Sequence, residues 1–344
     1  MKSRLPMYRP IHQAIEAATR PLRHRVARAL LAIALIFTGL AQAQEWPAKP
    51  VTIVMGYPAG SGLDVVARTI QDALEKALNM KVLVDYRSGA GGNIASEYVA
   101  RQRPDGYTIL LGTAGTHGIN AALYRRLPFD VEADFTAVAA LADVPNVLSI
   151  NPDVIDAKTV REFIDKVRAS PGKYNYASSG NGASTHLAFV EFNNVAGLNM
   201  VHGPYKGGPE AILGLLKGDV CCIFNQVQTI LPHWRAGKVR LLGVSTRTRV
   251  NAVPEIPPIA EAGLPGFESF TWFGLFGPKG MDPQVTNTLN DAVRKALEVP
   301  AVRQKLMELG NTPRIETAEQ FRATVKRDRV KWAAVVKATG ATID

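Results

Sequence analysis

The sequence holds only two cysteines in 344 residues, and they are neighbours, Cys221 and Cys222. One adjacent pair draws no disulfide framework, and two cysteines without a nearby histidine make no zinc site. On a strand, neighbouring side chains point to opposite faces, so the pair is read as two free, buried thiols. No H-E-x-x-H, no phosphate-binding G-x-x-x-x-G-K-[ST] and no G-x-S-x-G elbow occurs. Long apolar runs are also scarce. The one that exists, ALLAIALIFTGLA at residues 29–41, follows Arg20, Arg23, Arg25 and Arg28 and precedes the small-x-small Ala41-Gln42-Ala43. It has signal-peptide length and is short for a membrane span, so residues 1–43 are expected to be a signal peptide cleaved after Ala43, with the mature chain in the periplasm. An uncleaved anchor is the alternative.

The formal net charge of +10 belongs largely to that leader. Removing it takes away seven basic residues and Glu16 and leaves about +4. Aromatics are only 7% of the chain, and no basic surface interleaved with them can be read, which excludes nucleic acid as the expected partner. The remaining length suits two α/β lobes.

What is present begins at residues 51–78. Val51 to Met55 reads as a buried strand, Gly56-Tyr57-Pro58-Ala59-Gly60-Ser61-Gly62 as a glycine-rich elbow, and the rest as a helix with Val66, Ile70, Leu74 and Leu78 on one face. Ser61 and Asp64 fit a capping box. The remaining free N–H groups of the first turn could receive an anion; a plain βα turn explains the same glycines. Strand, elbow and helix then recur. Residues 81–86 lead to Gly89-Ala90-Gly91-Gly92, where Ile94 stands in the third glycine position of a dinucleotide fingerprint, arguing against NAD. Residues 107–111 lead to Gly112-Thr113-Ala114-Gly115-Thr116-His117-Gly118. Further on, residues 174–177 lead to the most polar elbow, Ser178-Ser179-Gly180-Asn181-Gly182-Ala183-Ser184-Thr185-His186. Strands are also expected at 146–150, 199–201, 220–224, 240–244 and 271–277, and helices at 160–167, 210–216, 227–234, 284–297, 301–309 and 318–336. His117, His202 and His233 read as structural, while His186 could bond its own loop or a ligand. Ser184 and His186 share a loop, so a secreted serine hydrolase is the enzyme alternative, but residues two apart at a helix start do not by themselves give nucleophile and base.

The elbows, together with Pro104-Asp105-Gly106-Tyr107-Thr108, Leu127-Pro128-Phe129-Asp130, Pro204-Tyr205-Lys206-Gly207-Gly208 and Glu261-Ala262-Gly263-Leu264-Pro265-Gly266, occur in an order that resembles the tripartite tricarboxylate transporter receptors, also called Bordetella uptake gene proteins. The resemblance covers essentially everything from Trp46 onward. It implies an α/β, type II-like, two-lobed periplasmic binding protein, with two domains joined by two crossings and a ligand cleft between them. Lobe 1 is then residues 44–143 and 271–344, and lobe 2 residues 144–270. It implies a receptor that captures a small organic carboxylate for membrane transporter subunits; a membrane sensor is the alternative partner. The missing catalytic and metal motifs argue against an enzyme, and a monomer without cofactor or metal is expected. The ligand-binding residues implied are Tyr57, Gly60, Ser61, Gly62, Leu63, Asp64, Thr113, Ala114, Thr116, Ser178, Ser179, Asn181, Ser184, Thr185, His186 and Asn225. Two positions depart from the family pattern. Leu63 replaces a hydroxyl, and Asn225 stands where relatives more often carry the Asp that could pair with a ligand ammonium. A di-, tri- or aromatic carboxylate without an amino group is therefore expected; neutral drift accounts for both positions as well.

Overall fold

The computed structural model describes residues 46–339 and residue 342; the expected signal peptide lies outside them. Four of the five residues of β1 (Val51–Met55) are buried. It lies in parallel between β2 (Val82–Tyr86) and β3 (Thr108–Thr113), as the β-branched runs require of a central strand. Helix α1 (Gly62–Leu78) buries Leu63, Val66, Ile70, Leu74 and Leu78, and ends where Asn79 turns left-handed at φ 50° and donates to Glu75 O and Lys76 O. A shorter helix, α2 (Asn93–Ala100), follows β2.

The element that ties the chain together is β4 (Phe135–Ile150), sixteen residues long where the sequence pattern indicates a strand only at 146–150. Its first part, rich in alanine and buried on both faces from Val138 to Leu141, shows no alternation to read, and its register against β9 (Phe270–Pro278) shifts at Ala137/Ala139 and Ala140/Ala142. Residues 135–145 of β4 pair with β9, which also pairs antiparallel with β3. Residues 146–150 pair instead with β7 (Cys222–Gln226) and β8 (Arg240–Val244). Beyond β7 lie β5 (Asn175–Ser178) and β6 (Val201–Pro204), both parallel. The order β2-β1-β3-β9-β4-β7-β5-β6 is thus continuous through β4, with β10 (Thr312–Pro313) on its flank.

Helices α3 (Asn120–Leu123), α4 (Val160–Arg168), α5 (Ser184–Ala196), α6 (Gly208–Lys217), α7 (Val227–Arg235), α8 (Ile259–Ala262), α9 (Pro283–Glu298), α10 (Pro300–Glu308) and α11 (Ala318–Thr339) cover the sheet. One core gathers Phe163, Phe189, Phe192, Phe224 and Phe267, all within residues 148–267. Another joins Val54, Leu110, Trp272, Phe276 and Phe321 from either side of that segment.

Both cysteines are buried and free. Their sulfurs do not point to opposite faces, however; they are 3.4 Å apart. Cys221 lies one residue before β7, so strand alternation does not govern it, and its Sγ turns to Asn175 O at 3.0 Å.

Candidate functional site

Each elbow is held open by its own hydrogen bonds. After β1, Ser61 Oγ accepts from Asp64 N at 3.4 Å, half of the expected capping box. The other half differs. Asp64 Oδ2 accepts from Gly60 N (2.9 Å), one residue further back, because Ser61 N is taken by Pro58 O (3.1 Å). The same carboxylate accepts from Tyr86 OH (2.7 Å) and Arg68 Nε (3.3 Å), so its role is to brace the loop. Tyr57 donates to Gly91 O at 3.1 Å, and burial pushes its phenol pKa up, keeping it a donor. At the end of β3, Thr113 and Thr116 bond reciprocally, Thr113 N to Thr116 Oγ1 (3.0 Å) and Thr116 N to Thr113 Oγ1 (3.2 Å). After β5, Ser179 N donates to Thr185 Oγ1 (3.0 Å) and Gly182 N to His186 Nδ1 (3.3 Å). Gly180 and Gly182 sit at φ 124° and 77°, conformations that side chains resist.

These elbows meet around a narrow, partly open cavity lined by Tyr57, Ser61, Gly62, Leu63, Thr113, Ser179, Ser184, Gly208, Gln226 and Phe273. Its enclosed space is about 20 Å3, room for a water molecule and not for an organic ligand at this spacing of the walls. No lining residue carries a formal charge. Four helices instead begin at the wall: α1 at Gly62, α5 at Ser184, α6 at Gly208, and α7 just after its cap residue Gln226. Each supplies unpaired first-turn N–H groups and the positive end of a helix dipole. Leu63 and Phe273 provide an apolar face. Larger openings of about 1150 and 1840 Å3 lie elsewhere, and some of their lining charges pair with one another, as Arg247 with Glu268 and Arg329 with Glu132.

Of the residues implied by resemblance, Tyr57, Ser61, Gly62, Leu63, Thr113, Ser179 and Ser184 line the cavity. The others stand behind it. Gly60 and Asp64 brace the first loop, Thr116 holds Thr113, and Thr185 holds Ser179. Ser178 Oγ accepts from Gly180 N, and Asn181 O accepts from Tyr124 OH. Ala114 is packed into the core. Asn225, fully buried, accepts from Gln226 N (2.9 Å) and Thr229 Oγ1 (3.0 Å), so it shapes the cap of α7. Gly208, Gln226 and Phe273 were not anticipated. Gln226 follows directly on Asn225, and Phe273 returns with β9, a proximity no local pattern signals.

His186 stacks on His202 at 4.1 Å, His202 on Tyr176 at 4.9 Å, and Tyr176 on Phe189 at 4.2 Å. No hydrogen bond joins His186 to Ser184 among the described residues, and no group of three metal-ligating side chains occurs among them. Burial lowers His186 to about 3, helped by His202, and lowers His202 to about 4. His117, wholly inside the core against Phe276, falls to about 3 through burial and then the Arg329 charge. The unfolded chain takes up these protons near pH 6.5, so protons favour unfolding. Stability is expected to be full above about pH 6.5 and to fall as the pH drops towards 4, for His117 by up to about 1.4 kcal/mol per pH unit. Urea midpoints across that range would show the slope, and His117→Phe should flatten it.

The family model described as "Tripartite tricarboxylate transporter family receptor" matches residues 66–341. The chain belongs to that family. It is 33% identical over 325 residues to the protein BugT of Bordetella pertussis, covering 92% of this chain and 98% of BugT. Among solved structures, it resembles Rpa4515 of R. palustris with adipate (TM-score 0.84, 33% identity, 87% of this chain and 100% of that one). It also resembles MatC of Rhodopseudomonas palustris with bound malate (TM-score 0.80, 32% identity, 85% and 100%). The fold of the receptor is therefore that of the two-lobed periplasmic binding proteins, and the family is one of solute-binding receptors. Among the described residues no helix is long and apolar enough to cross a membrane.

Proposed function

We propose that this receptor captures a small carboxylate in the charge-free cavity by closing two lobes over it, then delivers it to a tripartite tricarboxylate-type membrane transporter after export and removal of residues 1–43. The observation that carries the reading is the meeting of four helix N-termini at a cavity without a cationic side chain. Such a site stabilises an anion through N–H groups and dipoles alone. Binding of adipate by Rpa4515 and of malate by MatC supports the same ligand class. An amino acid would bring an ammonium group for which the lining offers no carboxylate partner, so the ligand is a non-amino carboxylate with an apolar stretch against Leu63 and Phe273.

Residues 44–143 with 271–344 form one lobe and residues 144–270 the other, with β4 and β9 as the two crossings. The separation of the two phenylalanine-rich cores on either side of these limits supports that division. Closure places the helix starts of both lobes on one ligand, so binding energy goes into the closed state. Nothing in the cavity supplies a nucleophile with its base, and the receptor acts by binding, without catalysis.

A thermal-shift screen of the unfolded and refolded chain tests this. Against mono-, di-, tri- and aromatic carboxylates and their amino analogues, the matching acid at a hundred times its Kd should add about 2.7 kcal/mol. A shift with amino acids and none with the carboxylates would refute the ligand assignment.

A further inference from the structure

Several glycines of the elbows stand away from the cavity, where one half of the chain meets the other. A Cβ at Gly207 would lie 2.7 Å from Pro58 Cγ, and one at Gly115 would lie 3.1 Å from Gly182 O. Added carbons at Gly91 and Gly182 would collide with Asn181 O and the Asn120 side chain respectively. Side chains bridge the same line. Tyr124 OH donates to Asn181 O at 3.1 Å, and the Asn120 amide lies 3.3 Å from Gly182 O, in donating range when its nitrogen faces that carbonyl. Ile119 and Leu123 pack with Leu187 beneath them. Tyr124, Asn120 and Gly207 do not line the cavity.

From these contacts we infer that Tyr124 and the Pro58–Gly207 contact form a closure seam that sets how much of the receptor is closed, and so how long a ligand stays, without touching the ligand. The inference rests on the two-lobe reading above. Contacts made only in the closed form shift the open–closed balance by their own free energy, whatever occupies the cavity. Bare glycine along the seam lets backbone meet backbone or ring with no intervening side chain, which makes these positions sensitive to a single methyl group. Gly207 is the clean case. Its φ of 171° is extended backbone that alanine adopts freely, so a Cβ there is opposed by Pro58 alone at short range. Tyr124→Phe removes one hydroxyl and keeps the ring.

The test uses the full chain, refolded free of ligand, with a dye pair at the exposed positions Asp72 and Lys217, read by single-molecule energy transfer. Tyr124→Phe should lower the closed-to-open ratio about fivefold, the worth of one ordinary hydrogen bond. Gly207→Ala should lower it at least as far and serves as the second test if the first variant folds poorly. A ratio within twofold of wild type in a folded variant overturns the inference. A melting temperature that drops while the ratio holds overturns it too, since that is what a merely structural tyrosine would do. Adipate and malate are added only afterwards. If no panel carboxylate moves the ratio, the ligand assignment fails, while the ligand-free comparison of variants still decides the seam.

Discussion

Replacing Gln226 by glutamate is expected to weaken binding of the receptor's carboxylate ligand by about two orders of magnitude. Gln226 is the cap residue of α7, is 8% exposed, and lines the cavity. The exchange changes almost nothing in shape but puts a full negative charge where only dipoles now act. At a separation on the order of 5 Å and an effective dielectric constant of about 20, two like charges repel by about 3 kcal/mol, roughly a hundredfold in Kd. Calorimetric titration of wild type and Gln226→Glu with the acid selected by thermal shift measures this directly. The same variant supplies the carboxylate that an ammonium would need, so the amino analogue should lose far less or gain. If both analogues weaken equally, the lost interaction is packing and the charge argument fails.

The largest effect on stability is expected from Arg314→Met. The Arg314 guanidinium is 14% exposed and lies 3.1 Å from Asp143 Oδ1 and 2.5 Å from Glu316 Oε1, with Thr324 Oγ1 at 3.1 Å. It therefore joins β4 to the segment after β10 and neutralises two acids that otherwise repel. Removing one member of this partly exposed group leaves the two acids uncompensated, a loss of about 1.5–3 kcal/mol. Urea unfolding at neutral pH would read it. Burial already holds the Asp143 pKa above the usual carboxylate range, although Arg314 opposes that shift. Without Arg314 the folded-state pKa rises further, so the folded form binds protons more readily than the unfolded chain. The deficit should shrink as pH falls through that raised value, and a deficit independent of pH would point to lost packing.

Some of this was legible because it is local. The βα unit at 51–78 follows from spacing and caps: α1 ends at Leu78 as its periodicity indicates and begins at Gly62, the last residue of the expected elbow, directly after its cap Ser61. The three polar elbows were found for the same reason: glycine and hydroxyl residues at a helix start leave N–H groups free wherever the helix goes. The first half of β4 was missed because small residues buried on both faces leave no alternation. Strand alternation does not orient the cysteine pair, because Cys221 precedes the strand.

The sequence by itself determined the alternating strands and helices, the family through its ordered elbows, and the chemical character of the loops, since capping and periodicity act over a few residues. Only the tertiary structure decided which of those polar groups line one cavity. Asp64 looks like a ligand residue in the chain but is spent on Gly60 N, Tyr86 and Arg68, whereas Gln226 and Phe273 arrive from distant strands. The physical reason is that a hydrogen-bonding group can be committed to a neighbour or left to a ligand. For Asp64 the choice is made by Tyr86 of β2, whereas Gln226 and Phe273 reach the cavity only because β7 and β9 both pair with β4.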